Sequence, residues 1–253
     1  MCHPVDESVI FSDNSEQRIE IPGSGRTIPT YAYGYSSQDR KPVVLIIHDI
    51  FGANPFYRDM GKRLADQGFA ALLPDLFCRE GALSENTREA AFARGSRHSF
   101  PVALEDIRAM VDKLSQEGHN VGLIGFCMGG TLTLLSAGRI PEVKAGVVYY
   151  GFPVNAHPTP NRPDNPIDEV AQLQAPLLGF FGEADAGVGV ENVKAYEAAA
   201  QKAGKQIDFT IYPVVGHGFL TFDKEGPAVK ASQESWSRAI TFFKEHLGAK
   251  VSA

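Results

Sequence analysis

Strand-length apolar segments alternate with helix-length amphipathic segments along most of this chain, and this alternation constrains the fold more than any other feature. Runs rich in apolar and β-branched residues predict strands buried on both faces at 43–47, 69–73, 121–125, 145–149, 176–181 and 207–212. Amphipathic segments predict helices near 55–67, 101–117, 128–138, 190–203 and 227–247. Because such alternation is typical of a parallel sheet covered by helices, we expect an α/β fold with a mainly parallel sheet and helices on both faces.

The beginning of the chain follows a different pattern, because its apolar residues alternate with polar ones. Ile19 and Ile21 lie two residues apart, and Tyr31 and Tyr33 repeat this spacing beyond a turn region that contains Gly and Pro. A period of two around turn residues is typical of a β-hairpin. We therefore expect an antiparallel hairpin, within residues 8–40, at one edge of the sheet.

No linker, internal repeat or charge run divides the 253 residues of the chain. The proline-rich stretch at 151–175 is the most irregular part, and it is too short for a second domain. We interpret it as an excursion of the chain above the sheet. The sequence therefore predicts a single domain over 1–253 without a large cap domain, and with residues 1–15 as a loosely ordered N-terminus.

Composition and charge argue against several classes of function. The chain has 24 Lys and Arg against 30 Asp and Glu, and this net charge of −6 argues against a nucleic-acid partner, which requires a concentrated basic face. Its cysteines, Cys2, Cys78 and Cys127, form neither a disulfide framework nor a zinc motif, and free thiols fit a reducing compartment. We find no secretory signal and no membrane-spanning apolar run, so we expect a cytoplasmic protein without a membrane partner.

A cysteine among glycines follows one of the predicted strands. The segment 125–130 reads Gly-Phe-Cys-Met-Gly-Gly and lies between the strand at 121–125 and the helix that begins near residue 128. It has the form of a nucleophile elbow, a strained turn in which glycine must flank the nucleophile. The helix N-terminus favours a thiolate and a developing oxyanion. We expect Cys127 to be a nucleophile, and the alternative is an inert, buried cysteine beside a glycine-rich bend.

A thiol nucleophile needs a general base, and the base needs a group that orients it. His217 lies in a glycine-flanked loop after the last predicted strand, and Asp185 follows the strand before it. The chain order Cys127, Asp185, His217 is the order of nucleophile, acid and histidine in α/β-hydrolases. Taken alone, Asp185 has the plainer interpretation of a turn former and His217 that of a loop residue. Glu183 is an alternative orienting residue.

Acyl transfer also needs hydrogen-bond donors for the oxyanion of a tetrahedral intermediate. One donor is expected to be the backbone N–H of Met128, which directly follows the nucleophile. The other is expected from the loop after the strand at 43–47, where Ile50 is our candidate. Since ligands of parallel sheets bind beyond the carboxyl ends of the strands, we expect all these groups to meet at that edge.

Five motifs together make the chain resemble the dienelactone hydrolase family of α/β-hydrolases, over roughly residues 20–247. They are Ile-His-Asp-Ile-Phe-Gly-Ala-Asn at 47–54, Leu-Pro-Asp-Leu at 73–76, Gly-Phe-Cys-Met-Gly-Gly at 125–130, Gly-Glu-Ala-Asp at 182–185 and Gly-His-Gly-Phe at 216–219. The resemblance implies an α/β-hydrolase fold. It also implies hydrolysis of an enol-lactone, such as a carboxymethylenebutenolide, by a Cys-His-Asp triad without a cofactor.

The resemblance assigns roles to individual residues. Cys127 matches the nucleophile, Asp185 the orienting acid and His217 the base. The amides of Ile50 and Met128 match the two oxyanion donors. Asp49 stands where studied members carry a Glu that contacts the resting thiol, and a bond to loop amides is its alternative role. Arg88 matches the first of two arginines that bind a substrate carboxylate in the family. The alternative is that Arg88 is an ordinary solvent-exposed charge on a helix. Phe92 lies on the same segment. Thr221 replaces the second arginine, and Gly218, directly after the catalytic histidine, stands where studied members often carry a Ser.

The sequence therefore predicts a hydrolase that cleaves a small lactone or carboxylic ester through an acyl-cysteine intermediate. Substrates that carry a free carboxylate are among the candidates. An acyltransferase or thioesterase on the same triad is an alternative, and a non-catalytic thiol-sensing or binding module is another. The chain lacks metal-ligand spacing and a phosphate-binding loop, so we expect no metal and no other cofactor. A monomer and a small homo-oligomer both remain open.

Overall fold

The computed structural model of the chain describes residues 3, 15–223 and 225–248, and these form one eight-stranded sheet flanked by helices. The strands are Glu16–Gly23 (β1), Arg26–Tyr33 (β2), Val43–Ile47 (β3), Ala70–Pro74 (β4), Val121–Phe126 (β5), Val143–Tyr149 (β6), Leu177–Gly182 (β7) and Ile207–Tyr212 (β8). The α-helices are Pro55–Asp66 (α1), Arg88–Arg97 (α2), Phe100–Gln116 (α3), Met128–Arg139 (α4), Val190–Lys202 (α5) and Val229–Leu247 (α6). The proline-rich stretch contributes a 3-10 helix, Pro166–Gln172.

The sheet is mainly parallel, as the alternation of strands and helices predicts. Its order is β1-β2-β4-β3-β5-β6-β7-β8, with parallel pairing from β4 to β8. The hairpin β1–β2 is antiparallel, pairs antiparallel with β4 and occupies one edge, as the period-two pattern predicts. All parallel strands therefore end at the same edge, and the loops that carry the candidate residues emerge there.

Helices cover both faces of the sheet because each central strand is apolar on both sides. In β3, Val44 and Ile46 belong to the apolar cluster that includes side chains of α1 and α6. Leu45 points the other way, into the cluster that includes side chains of α3, α4 and α5. Alternation with a period of two along a strand thus builds a core on each face.

Two sequence predictions need correction. The strand at 207–212 was expected to be buried on both faces, but in β8 only Tyr212 is buried, because β8 is the second edge of the sheet. Helix α2 was not predicted, since its buried face consists of Ala91, Arg94 and Gly95 and gives no apolar stripe. Of the N-terminal residues 1–15, predicted to be loosely ordered, all except His3 and Ser15 lie outside the described residues. In the described part of the chain, no helix is long and apolar enough to cross a membrane.

Candidate active site

The turn between β5 and α4 holds Cys127 in a strained conformation. Cys127 has φ 53° and ψ −114°, a region that non-glycine residues rarely occupy. A Cβ atom on Gly129 would lie 2.0 Å from the carbonyl oxygen of Ile47, and one on Gly125 would lie 2.1 Å from the carbonyl oxygen of Gly129. Only glycine lets β3, β5 and α4 approach so closely, so these glycines explain how the turn forms.

The thiol of Cys127 lies at the N-terminus of α4. The residue is only 6% exposed, yet it lines the cavity beyond the carboxyl ends of the strands. The helix N-terminus stabilises negative charge at this position. Cys78 has a different setting, because it lies in the loop after β4 and burial raises the pKa of its thiol. Cys2 lies outside the described residues.

His217 and Asp185 form a hydrogen-bonded pair between the loops that follow β8 and β7. Nδ1 of His217 lies 2.7 Å from Oδ2 of Asp185. The other carboxylate oxygen accepts hydrogen bonds from the N–H groups of Gly187 and Val188 at 3.0 and 3.1 Å. Burial raises the pKa of Asp185, but the bonds from His217 and the two amides outweigh it, so the pKa is lowered overall. Asp185 is therefore a buried carboxylate that fixes His217, while Glu183 is exposed.

Aromatic side chains that the sequence reasoning did not single out pack against the imidazole of His217. The ring centroids of Tyr150 and Phe152 lie 5.1 and 5.6 Å from that of His217. Tyr150 also has a positive φ of 41°. These rings pack against the imidazole, which is also bonded to Asp185. No local pattern marks these aromatics in the sequence. Apolar residues in and after β6 are expected from core packing, so Tyr150 and Phe152 do not stand out.

The two residues whose backbone amides are the predicted oxyanion donors lie together in the structure. Ile50 and Met128 both line the cavity beside Cys127. Within the described residues, neither amide N–H donates a hydrogen bond to another group. The carbonyl oxygen of Ile50 accepts a hydrogen bond from Nη2 of Arg94 at 3.0 Å, and this bond helps to position the Ile50 residue. Preorganised N–H donors of this kind are what a developing oxyanion requires.

One cavity of about 430 Å³ collects these groups. Among its lining residues are Cys127, Asp185, His217, Ile50 and Met128. The loops after β3, β5, β7 and β8 each contribute, which is what the parallel topology predicts. Among the described residues, no group of three or more His, Cys, Asp or Glu side chains is arranged to hold a metal ion. A thiol, an imidazole bonded to a carboxylate, and two amide donors are the groups that acyl transfer requires.

Comparison with known proteins shows the family of the chain. The model of the dienelactone hydrolase family matches residues 28–247. A protein of Methylorubrum extorquens with a provisional carboxymethylenebutenolidase name is 33% identical over 234 residues, which cover 90% of this chain and 80% of the relative. The chain belongs to the dienelactone hydrolase family.

Other members of the dienelactone hydrolase family agree with this placement. The carboxymethylenebutenolidase of Rhodococcus opacus is 29% identical over 235 residues, and the match covers 92% of each chain. A crystal structure of a provisionally named dienelactone hydrolase from Klebsiella pneumoniae has a TM-score of 0.81 and 26% identity, and covers 91% of this chain and 98% of that one. The resemblance and the α/β-hydrolase fold predicted from the sequence are confirmed, and membership supports a hydrolase of the carboxymethylenebutenolidase type.

Asp49, in the loop after β3, is fully buried. Oδ1 of Asp49 accepts a hydrogen bond from the N–H of Phe51, and Oδ2 accepts one from the N–H of His3, both at 2.8 Å. These contacts match the alternative in which Asp49 binds loop amides. Control of the thiol by Asp49 stays a prediction.

Helix α2 brings two predicted substrate-binding residues of the family to the cavity. Arg88 and Phe92 lie one turn apart and both line it, and Phe92 is 54% exposed although it is a large apolar residue. Within the described residues, Gly218 and Thr221 do not line the cavity, and Oγ1 of Thr221 donates to the carboxylate of Asp223 at 2.7 Å. Substrate binding by Arg88, Phe92 and Gly218 stays a prediction.

Two arginines near this site, Arg94 and Arg162, were not predicted from the sequence. Arg94 is buried on α2, with its guanidinium carbon 4.0 Å from the centroid of the Phe77 ring. Arg162 reaches the cavity from the proline-rich stretch. No signal in the sequence marks either one, because arginines are ordinarily exposed and the partners of these two are distant along the chain.

Proposed function

We propose that the chain hydrolyses a small lactone or carboxylic ester through an acyl-cysteine intermediate. Cys127 is the nucleophile, His217 is the general base, and Asp185 orients His217. The observation that carries the proposal is the bond between Nδ1 of His217 and the buried carboxylate of Asp185, beside a cysteine in a strained turn that lines the same cavity. A structural cysteine needs neither partner.

The chemistry proceeds in two stages. His217 accepts the proton of the Cys127 thiol, and the thiolate attacks the substrate carbonyl. The amides of Ile50 and Met128 donate hydrogen bonds to the oxyanion. When the tetrahedral intermediate collapses, the bond between the carbonyl carbon and the ester oxygen breaks, and His217 returns the proton to that oxygen, which in a lactone stays tethered to the acyl group. Water activated by His217 then cleaves the thioester and regenerates the thiol.

The substrate class rests on the family and on the size of the cavity. The Rhodococcus opacus relative is named carboxymethylenebutenolidase, and this name supports an enol-lactone as substrate. A cavity of about 430 Å³ accommodates a small molecule of this kind. Because a thiolate nucleophile works only while it is reduced, we propose the cytoplasm as the compartment.

The decisive experiment is to replace the nucleophile and follow both turnover and acylation. We expect Cys127→Ala to abolish hydrolysis of p-nitrophenyl esters and of a dienelactone, while Cys78→Ala keeps wild-type rates. Rapid quenching and mass spectrometry should find the acyl group on the peptide that contains Cys127. Undiminished turnover by Cys127→Ala would refute the proposal.

The same assay separates hydrolysis from acyl transfer. Competing amine, alcohol and thiol acceptors are added, and the products are identified. A hydrolase gives mainly the free acid, because water is the acceptor of its acyl group. Predominant acyl-acceptor adducts would contradict the proposal, and so would labelling of Cys127 by iodoacetamide in a protein that turns over no ester.

A further inference from the structure

Arg162 lies on a tight turn of the proline-rich stretch, and the fold presents its side chain to the cavity of Cys127. The turn is closed by two backbone hydrogen bonds between Thr159 and Arg162, at 2.9 and 3.1 Å. The side-chain amide of Asn155 donates to the carbonyl oxygen of Arg162 at 2.9 Å and supports the turn from within the same stretch. The backbone at Arg162 is therefore fixed before any ligand arrives.

The turn is also anchored to the junction of α2 and α3. Nδ2 of Asn161 donates to the carbonyl oxygen of Ser96 at 2.8 Å, and the carbonyl oxygen of Asn161 accepts from the N–H of Phe100 at 2.8 Å. Nη2 of Arg162 donates to the carbonyl oxygen of Gly95 at 2.8 Å. Helix α2 also carries Arg88. These bonds therefore connect the turn that carries Arg162 to the helix that carries Arg88.

The guanidinium of Arg162 is held but not neutralised. Its contact with Gly95 uses one N–H donor, and its carbon atom lies 5.0 Å from the centroid of the Phe100 ring. Within the described residues, neither Arg162 nor Arg88 forms an ion pair with a carboxylate. The carboxylate that does line the cavity, Asp185, is occupied by His217 and two amides. The cavity therefore has two arginines whose charge is available to a ligand.

The space beside Arg162 depends on a glycine. A Cβ atom on Gly95 would lie 3.3 Å from Nη2 of Arg162, which is tighter than ordinary contact. Arg162 and Cys127 line the same cavity. A group bound at Arg162 would consequently lie close to the reacting thiol.

We propose that Arg162 is a specificity-determining residue that, together with Arg88, binds a carboxylate of the substrate. This inference rests on the proposed function and deepens it, because Arg88 and Arg162 are the two arginines among the described residues that line the cavity. Paired guanidinium donors suit a carboxylate, because their N–H groups match its two oxygens. The substrate is therefore an anionic ester or lactone, and neutral analogues bind less well.

Kinetics on a matched pair of esters tests the proposal. Mono-p-nitrophenyl succinate carries a carboxylate, and its methyl ester is the neutral counterpart. We expect Arg162→Gln to lower kcat/KM for the anionic ester by about 10- to 100-fold, mainly through KM, and for the neutral ester by less than about threefold. Arg162→Lys should recover part of the anionic preference, because it keeps the charge. The control is Arg97→Gln, which removes an exposed arginine of α2 and should leave both rates unchanged.

A second measurement does not depend on turnover. Iodoacetate and iodoacetamide alkylate the same thiolate and differ in charge, so the ratio of their rates at Cys127 cancels any change in the pKa of the thiol. Quantitative mass spectrometry of the Cys127 peptide should show this ratio falling about fivefold or more in Arg162→Gln, and not in Arg97→Gln.

The outcomes are distinguishable. Equal losses for both esters with an unchanged alkylation ratio would make Arg162 a purely structural residue and overturn the inference, and so would wild-type behaviour of Arg162→Gln in both assays. If the wild-type protein hydrolyses neither ester, the proposed function fails, while the alkylation ratio still decides whether Arg162 recruits an anion.

Discussion

Nη2 of Arg94 donates a hydrogen bond to the carbonyl oxygen of Ile50 at 3.0 Å, from a side chain that is almost completely buried. This bond ties α2 to the loop after β3, whose Ile50 amide lines the cavity. The guanidinium also packs on Phe77, and burial lowers the pKa of Arg94. Arg94 thus places one of the proposed oxyanion donors without touching the substrate.

Replacing Arg94 should therefore affect both stability and catalysis. Arg94→Met leaves the buried carbonyl of Ile50 without a donor, which costs about 1–3 kcal/mol of the free energy of unfolding. We expect kcat to fall about tenfold while KM stays near the wild-type value, because the amide is misplaced mainly for the transition state. Urea denaturation and steady-state kinetics measure the two effects. Arg97→Met, on the exposed side of the same helix, is the control, and an unchanged kcat in Arg94→Met would contradict the positioning role.

Two glycines of α4 should respond in opposite ways to the same substitution. In Gly129→Ala the new Cβ would lie 2.0 Å from the Ile47 carbonyl oxygen, so β3 and α4 must separate and the turn at Cys127 must change. We expect a loss of at least about 3 kcal/mol or a failure to fold.

The second glycine provides the matched control. A Cβ on Gly138 finds its nearest neighbour, an atom of Gln172, at 3.6 Å, which is ordinary contact. Gly138→Ala should therefore gain up to about 1 kcal/mol from helix propensity. Denaturant titration of both variants checks the pair, and similar effects at the two positions would show that helix propensity rather than close approach governs α4.

Much of the site was predictable because the topology of a parallel sheet brings distant loops together. Cys127, Asp185 and His217 are far apart in sequence, but each follows a strand that the apolar pattern identifies, and parallel strands end at one edge. The glycines around Cys127 predicted the sharp turn between β5 and α4. The sequence favoured Asp185 over Glu183 as the partner of His217, and the structure adds the bond between the imidazole and the Asp185 carboxylate.

The positions of three side chains could not be predicted, because they depend on contacts between residues that are distant in the sequence. Arg162 lies in a stretch that is neither a strand nor a helix over its turn, and bonds from Asn161 and to Gly95 fix its position. Arg94 is polar, so a pattern of apolar periodicity assigns it to the surface, whereas in the fold it is buried and its Nη2 donates to the carbonyl oxygen of Ile50. The direction of Asp49 depends on an N–H group of His3, which is remote in the chain.

The buried imidazole of His48 should make the stability of the fold depend on pH. The N–H of Leu76 donates to its Nε2 at 3.2 Å, so Nδ1 carries the proton and donates to the carbonyl oxygen of Asp49 at 2.8 Å. Burial lowers the pKa of His48 to about 3. In the unfolded chain a histidine titrates near pH 6.5, so below that pH the unfolded state binds one more proton than the folded state.

The free energy of unfolding should consequently fall as the pH drops from about 6.5 toward 3, by up to about 1.4 kcal/mol per pH unit from this residue. His48→Asn cannot take up that proton, and its amide can still donate to the Asp49 carbonyl. We expect this variant to be less stable at pH 7 but to show a shallower slope between pH 6 and pH 4. Urea denaturation at several pH values gives the slopes, and parallel slopes would rule out His48 as their source.

Asp185 should show the linkage typical of a carboxylate together with a catalytic effect. Bonds from His217 and two amides keep the folded pKa below the unfolded value, which is near 3.9. The carboxylate therefore contributes stability above about pH 4, and this contribution is lost as the pH falls through the folded pKa. We expect the stability of Asp185→Asn to change less than that of the wild-type protein below pH 4.

The catalytic effect follows from the proton on His217. An amide at position 185 can present its own N–H to Nδ1 and so favour the wrong tautomer, and we expect kcat for ester hydrolysis to fall by roughly 10²- to 10⁴-fold. Glu183→Gln, the same chemical change on the exposed carboxyl of that loop, should keep the wild-type kcat. Should Glu183→Gln lose as much activity as Asp185→Asn, the orienting role would have to be shared or reassigned, because of these two carboxyl groups Asp185 is the one bonded to the imidazole.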